Sequence, residues 1–450
     1  MMRLYEAAAM LEVSFNGSDV EVLRVSTDSR TIRPGDLFFA LRGDKFDGGA
    51  FAAQALQQGA VGVVLDRTQA PEISSAIRVD DTRLALGKLA AAWRARFSLP
   101  VVAVTGSNGK TTVKEMLAAI LRVEAGSEDA VLYTEGNLNN DIGLPLMLLR
   151  LRETHQFAVF EMGMNHAGEI DYLTRLARPD VAVVNNAMTA HIEFLGSVEN
   201  IARAKGEIFN GLTRAGIAVF NADDPHAWLW REFNAQRSVT DFGLAQLAAV
   251  RGKYQPAAYG AALSLMLPNA TLEIALQVPG EHNVMNALAA AATAFALDIS
   301  HRSIVAGLSG FTGVKGRMER KAALHGSTFI DDTYNANPDS VKAALTVLAQ
   351  HAGKKVMVLG DMGELGPDAA AMHAQIGLAA RDAGIDRMLL LGDMTRETAG
   401  AFGAGAMHFE RIQELLAELE NELTAETTVL VKGSRFMKME RVVQSFMEDH

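Results

Sequence analysis

A short glycine-rich segment has the residue types that point most directly to chemistry. It reads Thr105-Gly106-Ser107-Asn108-Gly109-Lys110-Thr111-Thr112, after the apolar run Pro100–Val104. Glycines let backbone N–H groups approach phosphate oxygens, and the N-terminus of a following helix adds partial positive charge. A lysine there reaches the outer phosphates of a nucleotide, and a threonine hydroxyl binds Mg²⁺. All eight residues are therefore candidate nucleotide ligands, with Lys110 also catalytic and Thr111 also a metal ligand.

The spacing of this segment differs from that of the common phosphate loop. The common pattern has four residues between its first glycine and the Gly-Lys pair, and here there are two. The alternative is a glycine-rich turn with a solvated lysine. Apolar residues at helical spacing follow the segment, at Val113, Met116, Leu117, Ile120 and Leu121, which predicts an amphipathic helix. A strand, a loop with Lys-Thr and a helix in this order favour the phosphate loop.

Three more ionisable residues need an interpretation, and the first of them, Glu161, lies where a metal ligand can stand. Glu161 directly follows the apolar run Phe157–Phe160, His191 comes after Val181–Val184, and Lys205 lies in a helical stretch. Ligands gather at the carboxyl ends of strands in a parallel sheet, and a carboxylate there can hold Mg²⁺. Taken singly, the ordinary alternatives are a solvated glutamate, a loop histidine and a surface lysine.

The elements that must position these residues alternate between strand and helix, which predicts an α/β fold with mostly parallel sheets. The pattern divides into three domains, at residues 1–98, 99–313 and 314–450. One helix is predicted in the first domain, at residues 50–58. The predicted strands are residues 20–25, 37–41, 61–65, 100–104, 157–160, 181–184, 217–220, 328–330, 356–359, 388–391 and 429–431. Arg33 to Asp36 predicts a turn, and Asn337-Pro338 predicts the start of a helix.

Composition narrows the class of protein. The chain has 450 residues, 49% of them hydrophobic, with a net charge of −11 and no cysteine. Disulfides and thiolate metal sites are therefore excluded, and the charge argues against nucleic-acid binding. No apolar run reaches the ~20 residues that cross a bilayer, and the acidic N-terminal segment does not resemble a signal peptide. We expect a cytoplasmic monomer without membrane insertion.

Three segments together resemble the Mur ligase family and its relatives, the folylpolyglutamate synthases. They are the phosphate segment, Glu161-Met162-Gly163 and Ala204-Lys205-Gly206-Glu207-Ile208-Phe209. The resemblance implies a small N-terminal α/β UDP-binding domain and a central P-loop-type parallel-sheet ATPase domain. It also implies a C-terminal Rossmann-like α/β domain that closes over ATP and binds an incoming dipeptide. ATP and Mg²⁺ are the implied cofactors.

The same resemblance implies roles for individual residues. Glu161, His191 and Lys205, the lysine as a carbamate, would bind metal, and His191, Lys205 and Arg317 would be catalytic. The implied nucleotide ligands outside the phosphate segment are Asn283, Asn286, Arg317, Asp332, Tyr334 and Asn337. Helix capping is the alternative role for Asn283, and a turn signal is the alternative for the Asp331-Asp332 pair.

Two further segments resemble the family member that acts on D-alanyl-D-alanine. They are the loop from Gly136 to Pro145 and the N-terminal motifs around Ser26 and Lys45. The implied reaction joins the dipeptide to UDP-N-acetylmuramoyl-tripeptide through an acyl phosphate. The implied substrate ligands are Ser26, Thr27, Asp28, Ser29, Arg30, Lys45, Phe46, Asp47, Asn137, Asn139, Asn140, Asp141, Lys432, Ser434 and Arg435. Asp141 departs from the family pattern, in which we expect Glu at this position. The alternative for the segment from Gly136 to Pro145 is an ordinary loop without a binding role.

Other functions stay open at this stage. One is another amide ligase of the same fold, either an earlier Mur step or a folylpolyglutamate synthase. Others are a P-loop regulatory ATPase or kinase, and a binding protein with an inactive nucleotide site. The third residue of the acceptor peptide, diaminopimelate or lysine, is not specified by the sequence, and the segment from Gly360 to Gly366 has no assigned chemistry.

Overall fold

The computed structural model describes residues 1–43, 46–68, 73–190, 192–257 and 259–447, without the side chain of Phe46. The predictions for Lys45, His191 and the Phe46 side chain lie outside the described residues. Three α/β units follow one another along the chain, each built on its own sheet, which confirms the predicted fold class. The division at residues 98 and 313 stays a prediction.

The first unit is a parallel sheet of order β3-β4-β7-β8, flanked by the two-stranded antiparallel pairs β1-β2 and β5-β6. Its elements are β1 (Met2–Arg3), α1 (Leu4–Met10), β2 (Glu21–Val22), β3 (Arg24–Ser26), β4 (Asp36–Phe39), β5 (Arg42–Gly43), β6 (Phe46–Asp47), α2 (Ala52–Gln57), β7 (Gly62–Asp66), β8 (Ala76–Val79) and α3 (Thr82–Arg94). The turn predicted at Arg33 is confirmed, because Asp36 N donates to Arg33 O at 3.1 Å and Gly35 has a φ of +91°.

The single strand predicted at residues 20–25 is wrong. The chain changes partner at Leu23, so that β2 pairs with β1 while β3 pairs with β4 in another sheet. The Leu23 side chain is exposed, and its N–H donates to Gly35 O at 2.8 Å. A loose alternation of apolar residues cannot show a change of partner, because both short strands keep the same extended backbone.

The second unit has a sheet of order β10-β11-β9-β12-β13-β14-β15-β16-β17, parallel from β10 to β15 and antiparallel from β15 to β17. The prediction missed the antiparallel part. The elements are β9 (Val101–Thr105), α4 (Lys110–Ala125), β10 (Val131–Tyr133), α5 (Gly143–Leu148), β11 (Phe157–Glu161), α6 (Glu169–Ala177), β12 (Val181–Val184), α7 (Ile192–Leu195), α8 (Val198–Gly206), β13 (Ile217–Asn221), α9 (Ala227–Phe233), β14 (Ser238–Gly243), β15 (Val250–Pro256), β16 (Ala261–Leu267), β17 (Ala270–Leu276), α10 (Glu281–Ala296) and α11 (His301–Gly310).

The third unit has a sheet of order β18-β19-β23-β20-β21-β22, parallel except for the edge strand β18. Its elements are β18 (Glu319–Ala322), β19 (Thr328–Asp332), α12 (Pro338–Ala349), β20 (Lys354–Gly360), α13 (Ala369–Asp382), β21 (Arg387–Leu391), α14 (Thr395–Phe402), β22 (Ala406–Phe409), α15 (Ile412–Glu422), β23 (Thr427–Lys432) and α16 (Glu440–Gln444). The helix start predicted at Asn337 is confirmed, because its side chain accepts a hydrogen bond from Ser340 N at 2.9 Å.

Helix α4 carries the phosphate segment at its N-terminus and is fixed by the core around it. The five predicted apolar positions from Val113 to Leu121 are completely buried. The small residues of the Ala-rich α10 and Gly307 of α11 pack closely against α4. No helix within the described residues is long and apolar enough to cross a membrane.

The close approach of α11 to α4 generates a prediction about stability. Alanine is normally favoured over glycine inside a helix by about 1 kcal/mol. A Cβ at Gly307, however, would lie 2.5 Å from the backbone Cα of Ile120. Overpacking of this kind costs about 1–3 kcal/mol, so we expect Gly307→Ala to lower the melting temperature. Gly310→Ala in the same helix, with no described atom within 4 Å of the new Cβ, is the matched control. A Gly307→Ala variant as stable as that control would contradict this packing.

Candidate functional site

A cleft of about 1180 Å³ lies between the second and third units, at the carboxyl ends of their parallel strands. The second unit lines it with the phosphate segment, Glu161 and the N-terminus of α10. The third unit contributes the residues that follow β19, β20 and β23. Most of the predicted nucleotide ligands therefore meet in one place, where ligands of open α/β sheets bind.

The phosphate segment is held open by asparagines that the sequence analysis did not identify. Asn108 N donates to Asn186 Oδ1 at 2.9 Å, and Asn185 Nδ2 donates to Asn108 O at 3.0 Å. Both asparagines directly follow β12, so their position at a strand end was the signal that could have found them. Gly109 has a φ of +80° and lies against Asn185 and Asn286, so that a side chain has no room there.

The Lys110 ammonium folds back onto its own loop, donating to Gly106 O at 2.7 Å and Ser107 O at 3.3 Å. Burial lowers the pKa of Lys110, while nearby Glu161 opposes and Arg317 adds to this effect. Two hydroxyl groups of the phosphate segment also make hydrogen bonds within the protein. Thr105 donates to Met162 O at 2.9 Å, and the Ser107 hydroxyl accepts from Met188 N at 2.8 Å.

Thr111 and Glu161 form the base of the cleft. Thr111 Oγ1 donates to Glu161 Oε2 at 2.8 Å, and Asn139 Nδ2 donates to Glu161 Oε1 at 2.8 Å. Mg²⁺ takes oxygen ligands at about 2.0–2.1 Å in octahedral geometry, so two adjacent ligands lie about 2.9 Å apart. The separation of the Thr111 and Glu161 oxygens fits this requirement. Arg317 reaches across from the third unit, with Nη2 donating to Thr111 Oγ1 at 2.9 Å.

Lys205 on α8 is buried, with only 1% of its surface exposed. Burial lowers its pKa well below the ordinary value, and the nearby Lys110 ammonium lowers it further. No described residue makes a hydrogen bond or ion pair with its side chain. The neutral amine of a lysine, which burial favours here, is the form that reacts with carbon dioxide to give a carbamate. Among the described residues, no group of three or more His, Asp or Glu side chains is arranged to hold a metal ion.

The predicted nucleotide ligands at the start of α10 form a buried amide network. Asn185 Nδ2 donates to Asn286 Oδ1 at 2.9 Å, and Asn286 Nδ2 donates to Asn283 Oδ1 at 3.2 Å. Asn283 Nδ2 donates to Pro279 O at 2.7 Å. The capping alternative for Asn283 is wrong, because Gly280 occupies the N-cap position of α10 and none of the described side chains caps this helix.

The third unit presents Asp332, Tyr334 and Asn337 to the cleft. The Arg317 guanidinium lies 4.2 Å from the ring centre of Tyr334. Asn337 Nδ2 donates to Asn108 Oδ1 at 2.8 Å across the cleft. Asp332 Oδ2 accepts from the Lys432 ammonium at 2.6 Å, so this carboxylate is engaged with a buried cation.

The turn alternative for the Asp331-Asp332 pair applies only to its first member. Asp331 Oδ1 accepts from Thr333 N at 3.2 Å and from the Thr333 hydroxyl at 2.6 Å, which is a local turn. Asp332 instead makes contacts with residues that are distant in sequence, including Met318 N at 3.2 Å.

The polar loop from Asn137 to Asp141 divides between the cleft and the first unit. Asn137, Asn139 and Asn140 line the cleft, and Asn140 Oδ1 accepts from Gly143 N at 2.8 Å at the start of α5. Asp141 is not among the residues that line the cleft, and it pairs with Arg83 of α3 at 2.8 Å. The carboxylate thus joins the first two units.

Ser434 and Arg435 lie after β23 at the edge of the cleft. The Ser434 hydroxyl accepts from Gly363 N at 2.9 Å and donates to Ala336 O at 3.1 Å. The segment from Gly360 to Gly366, to which the sequence assigned no chemistry, therefore contacts a residue at the edge of the cleft. The Arg435 guanidinium lies 6.0 Å from the centre of the Tyr334 ring.

A separate cleft of about 360 Å³ lies in the first unit. It is lined by four of the predicted substrate residues, Thr27, Asp28, Ser29 and Arg30. Phe51, an exposed aromatic residue that the sequence analysis did not single out, lines the same cleft. Arg30 pairs with Asp28 at 2.8 Å and lowers the pKa of that carboxyl to about 2. The predicted substrate residues Ser26 and Asp47 are near this cleft in sequence but do not line it. Both side chains accept hydrogen bonds from the local backbone, Ser26 from Asp28 N and Asp47 Oδ1 from Gly49 N at 2.8 Å.

Comparison with known proteins assigns the family. Residues 21–94 match the profile described as Mur ligase family, catalytic domain. Residues 104–294 match the Mur ligase middle domain, and residues 316–435 match the Mur ligase, glutamate ligase domain. The chain belongs to the Mur ligase family.

Within the family, the chain is similar to one group of enzymes over its whole length. It is 42% identical to the UDP-N-acetylmuramoyl-tripeptide--D-alanyl-D-alanine ligase of Escherichia coli K12, covering 99% of this chain and 98% of that protein. A crystal structure of MurF from Acinetobacter baumannii superposes with a TM-score of 0.91 at 38% identity, covering 99% and 98% of the two chains. MurF from Thermotoga maritima in complex with ADP has a TM-score of 0.84 at 28% identity, covering 94% and 96%.

The contact of Gly109 with the two asparagines generates a prediction about nucleotide binding. A Cβ at residue 109 would overlap the side-chain amides of Asn286 and Asn185. We therefore expect Gly109→Ala to weaken ADP binding at least tenfold, measured by calorimetry. Gly126→Ala, at the other end of α4, is the control, because Gly126 also has a positive φ but no described atom lies within 4 Å of the new Cβ. Both variants bear the left-handed strain of about 1–2 kcal/mol, so equal ADP affinities would contradict the role of this contact.

Proposed function

We propose that this protein joins D-alanyl-D-alanine to UDP-N-acetylmuramoyl-tripeptide, with cleavage of ATP to ADP and phosphate, in peptidoglycan precursor synthesis. The observation that carries the proposal is that the phosphate segment, the Thr111–Glu161 pair and Arg317 meet in one cleft. The similarity to enzymes of this name over 99% of the chain supports it. The third residue of the acceptor peptide stays open.

The first chemical step is the transfer of a phosphoryl group. A carboxylate oxygen of the tripeptide attacks the γ-phosphorus of ATP, the bond to the β-phosphate oxygen breaks, and an acyl phosphate and ADP result. Two anions must meet, so neutralisation of charge and positioning dominate the barrier. Lys110 of the second unit and Arg317 of the third unit would supply positive charge beside the bound phosphates. For this, the Lys110 ammonium exchanges the carbonyls of Gly106 and Ser107 for phosphate oxygens.

The second step forms the amide bond. The uncharged amine of the dipeptide attacks the acyl carbon, a tetrahedral intermediate forms, and phosphate leaves as the nitrogen loses a proton. Ser434, Arg435 and Lys432 are our candidates for holding the dipeptide, beside the nucleotide ligands Asp332, Tyr334 and Asn337. The residues from Thr27 to Arg30 in the first unit would bind the UDP end of the other substrate, since arginine makes bidentate contacts with phosphate.

Thr111 and Glu161 would hold Mg²⁺, with His191 and a carbamate on Lys205 as further ligands. The oxygens of Thr111 and Glu161 have the required spacing, and burial lowers the pKa of Lys205, which favours the amine form that can be carbamylated. Bound there, Mg²⁺ neutralises phosphate charge as a Lewis acid. Carbamylation forms an N–C bond with carbon dioxide and releases a proton, which converts a cation into an oxygen ligand. We further propose that the enzyme acts as a monomer in the cytoplasm on small-molecule substrates.

The reaction generates a direct test by phosphate release. With ATP, Mg²⁺ and UDP-N-acetylmuramoyl-tripeptide, we expect phosphate to appear only when D-alanyl-D-alanine is added. Single amino acids in place of the dipeptide should give none. Lys110→Ala should abolish release, because the outer phosphates lose their cation. Release without any dipeptide would indicate an ATPase, and turnover with a single amino acid would indicate a different ligase.

The buried amine of Lys205 generates a second test. We expect Lys205→Ala to be nearly inactive and to be partly rescued by short carboxylic acids, which can supply the missing oxygen ligand. Arg203→Ala on the same helix is the control, since Arg203 is exposed and, among the described residues, its side chain makes only an i,i+4 pair with Glu199. Thermal melting should show both variants folded. Full activity of Lys205→Ala without added acid would show that the lysine is only structural.

A further inference from the structure

Lys114 is a buried ammonium that the proposed reaction does not use. It lies on α4, one turn after Thr111, and only 1% of its surface is exposed. Burial of a charged group without partners costs several kcal/mol, so buried charges in proteins are paired and hydrogen-bonded. The position of such a group beside a catalytic loop calls for a specific role.

The partners of Lys114 satisfy its charge and its hydrogen-bonding capacity. Its Nζ donates to Thr134 O at 2.6 Å and pairs with Glu115 Oε1 at 2.9 Å. It also lies 5.4 Å from the ring centre of Tyr133, within the range of a cation–π contact. The bond to Thr134 connects Lys114 to the cleft, because Thr134 also contacts Glu161.

Thr134 connects this lysine to the metal-site carboxylate. It is completely buried, directly after β10 and beside β11. Its hydroxyl accepts a hydrogen bond from Glu161 N at 2.9 Å, and its own N–H donates to Val159 O at 3.0 Å. The backbone of Glu161 is therefore held by a residue that Lys114 in turn holds.

These contacts close a ring. Thr111 and Lys114 lie three residues apart on α4 and so point to the same side of the helix. Thr111 reaches the Glu161 carboxylate directly, and Lys114 reaches the Glu161 backbone through Thr134. Two independent connections from one helix thus determine both the place of the Glu161 backbone and the direction of its side chain.

We propose that Lys114 is a positioning residue that, through Thr134, sets the spacing of the Thr111 and Glu161 oxygens for a divalent cation. The proposal rests on the proposed function only in that a divalent cation binds between these two oxygens. Groups that hold metal ligands in place typically contribute about 10- to 100-fold to metal affinity. A lysine that only fills space or satisfies a carbonyl would have no such effect.

The test measures Mn²⁺ binding to the complex of the full chain with ADP, by electron paramagnetic resonance of the free ion. Thr134→Val removes the hydroxyl but keeps the carbonyl that Lys114 binds, and Lys114→Met removes the ammonium. We expect each to weaken Mn²⁺ binding about tenfold, with ADP affinity in the absence of metal unchanged. The double variant should bind Mn²⁺ no more weakly than the weaker-binding single variant, because either substitution alone already breaks the ring of contacts.

Two controls separate the link from other effects. Thr134→Ser keeps the hydroxyl, and Glu115→Gln removes the charge partner of Lys114 but keeps its bond to Thr134. Both should bind Mn²⁺ as the wild type does. Wild-type Mn²⁺ affinity in Thr134→Val would overturn the proposal even if Lys114→Met failed to fold, and so would an equal loss in Glu115→Gln. If the variants lose Mn²⁺ as expected but the wild type forms no amide, the positioning role stands and the proposed function falls.

Discussion

The contact between the Thr111 hydroxyl and the Glu161 carboxylate is the interaction on which the site depends. It joins the first turn of α4 to the end of β11, and thus the phosphate segment to the sheet edge. Asn139 fixes the other oxygen of the same carboxylate. Since carboxylates accept and do not donate when ionised, each of these donors limits where Glu161 can point. The loop, the helix and the neighbouring strand therefore act as one rigid base.

The third unit docks onto this base through polar contacts. Arg317 donates to Thr111, Asn337 donates to Asn108, and Asp339 accepts from the backbone and hydroxyl of Thr189 at 3.0 and 2.6 Å. Polar, partly solvated interfaces of this kind permit domains to move relative to one another. The residues proposed to contact ATP are thereby divided between two units, so the site is complete only when both are in place.

The parts of the structure predicted from the sequence are those with local causes. The buried stripe of α4, the cap at Asn337 and the strand-end position of Glu161 follow from periodicity, capping and parallel topology. The parts that were missed depend on contacts between distant residues. Asn185 and Asn186 hold Asn108 from more than 70 positions away; their place at the end of β12 indicates a cleft residue, but no local pattern predicts Asn108 as the partner. The pairing of Asp141 with Arg83 and the change of strand at Leu23 likewise depend on which segments meet after folding.

The meeting of Lys110 and Arg317 near Glu161 has a consequence for the end of the catalytic cycle. The Lys110 and Arg317 side chains and the N-terminus of α4 make the base of the cleft attractive to any phosphate-like anion, before and after the proposed reaction. In the proposed reaction, inorganic phosphate would leave from beside the same positive charges that attract the nucleotide, and these charges would slow its release. Free phosphate should consequently compete with ATP, and rising ionic strength should relieve this product inhibition by screening the field.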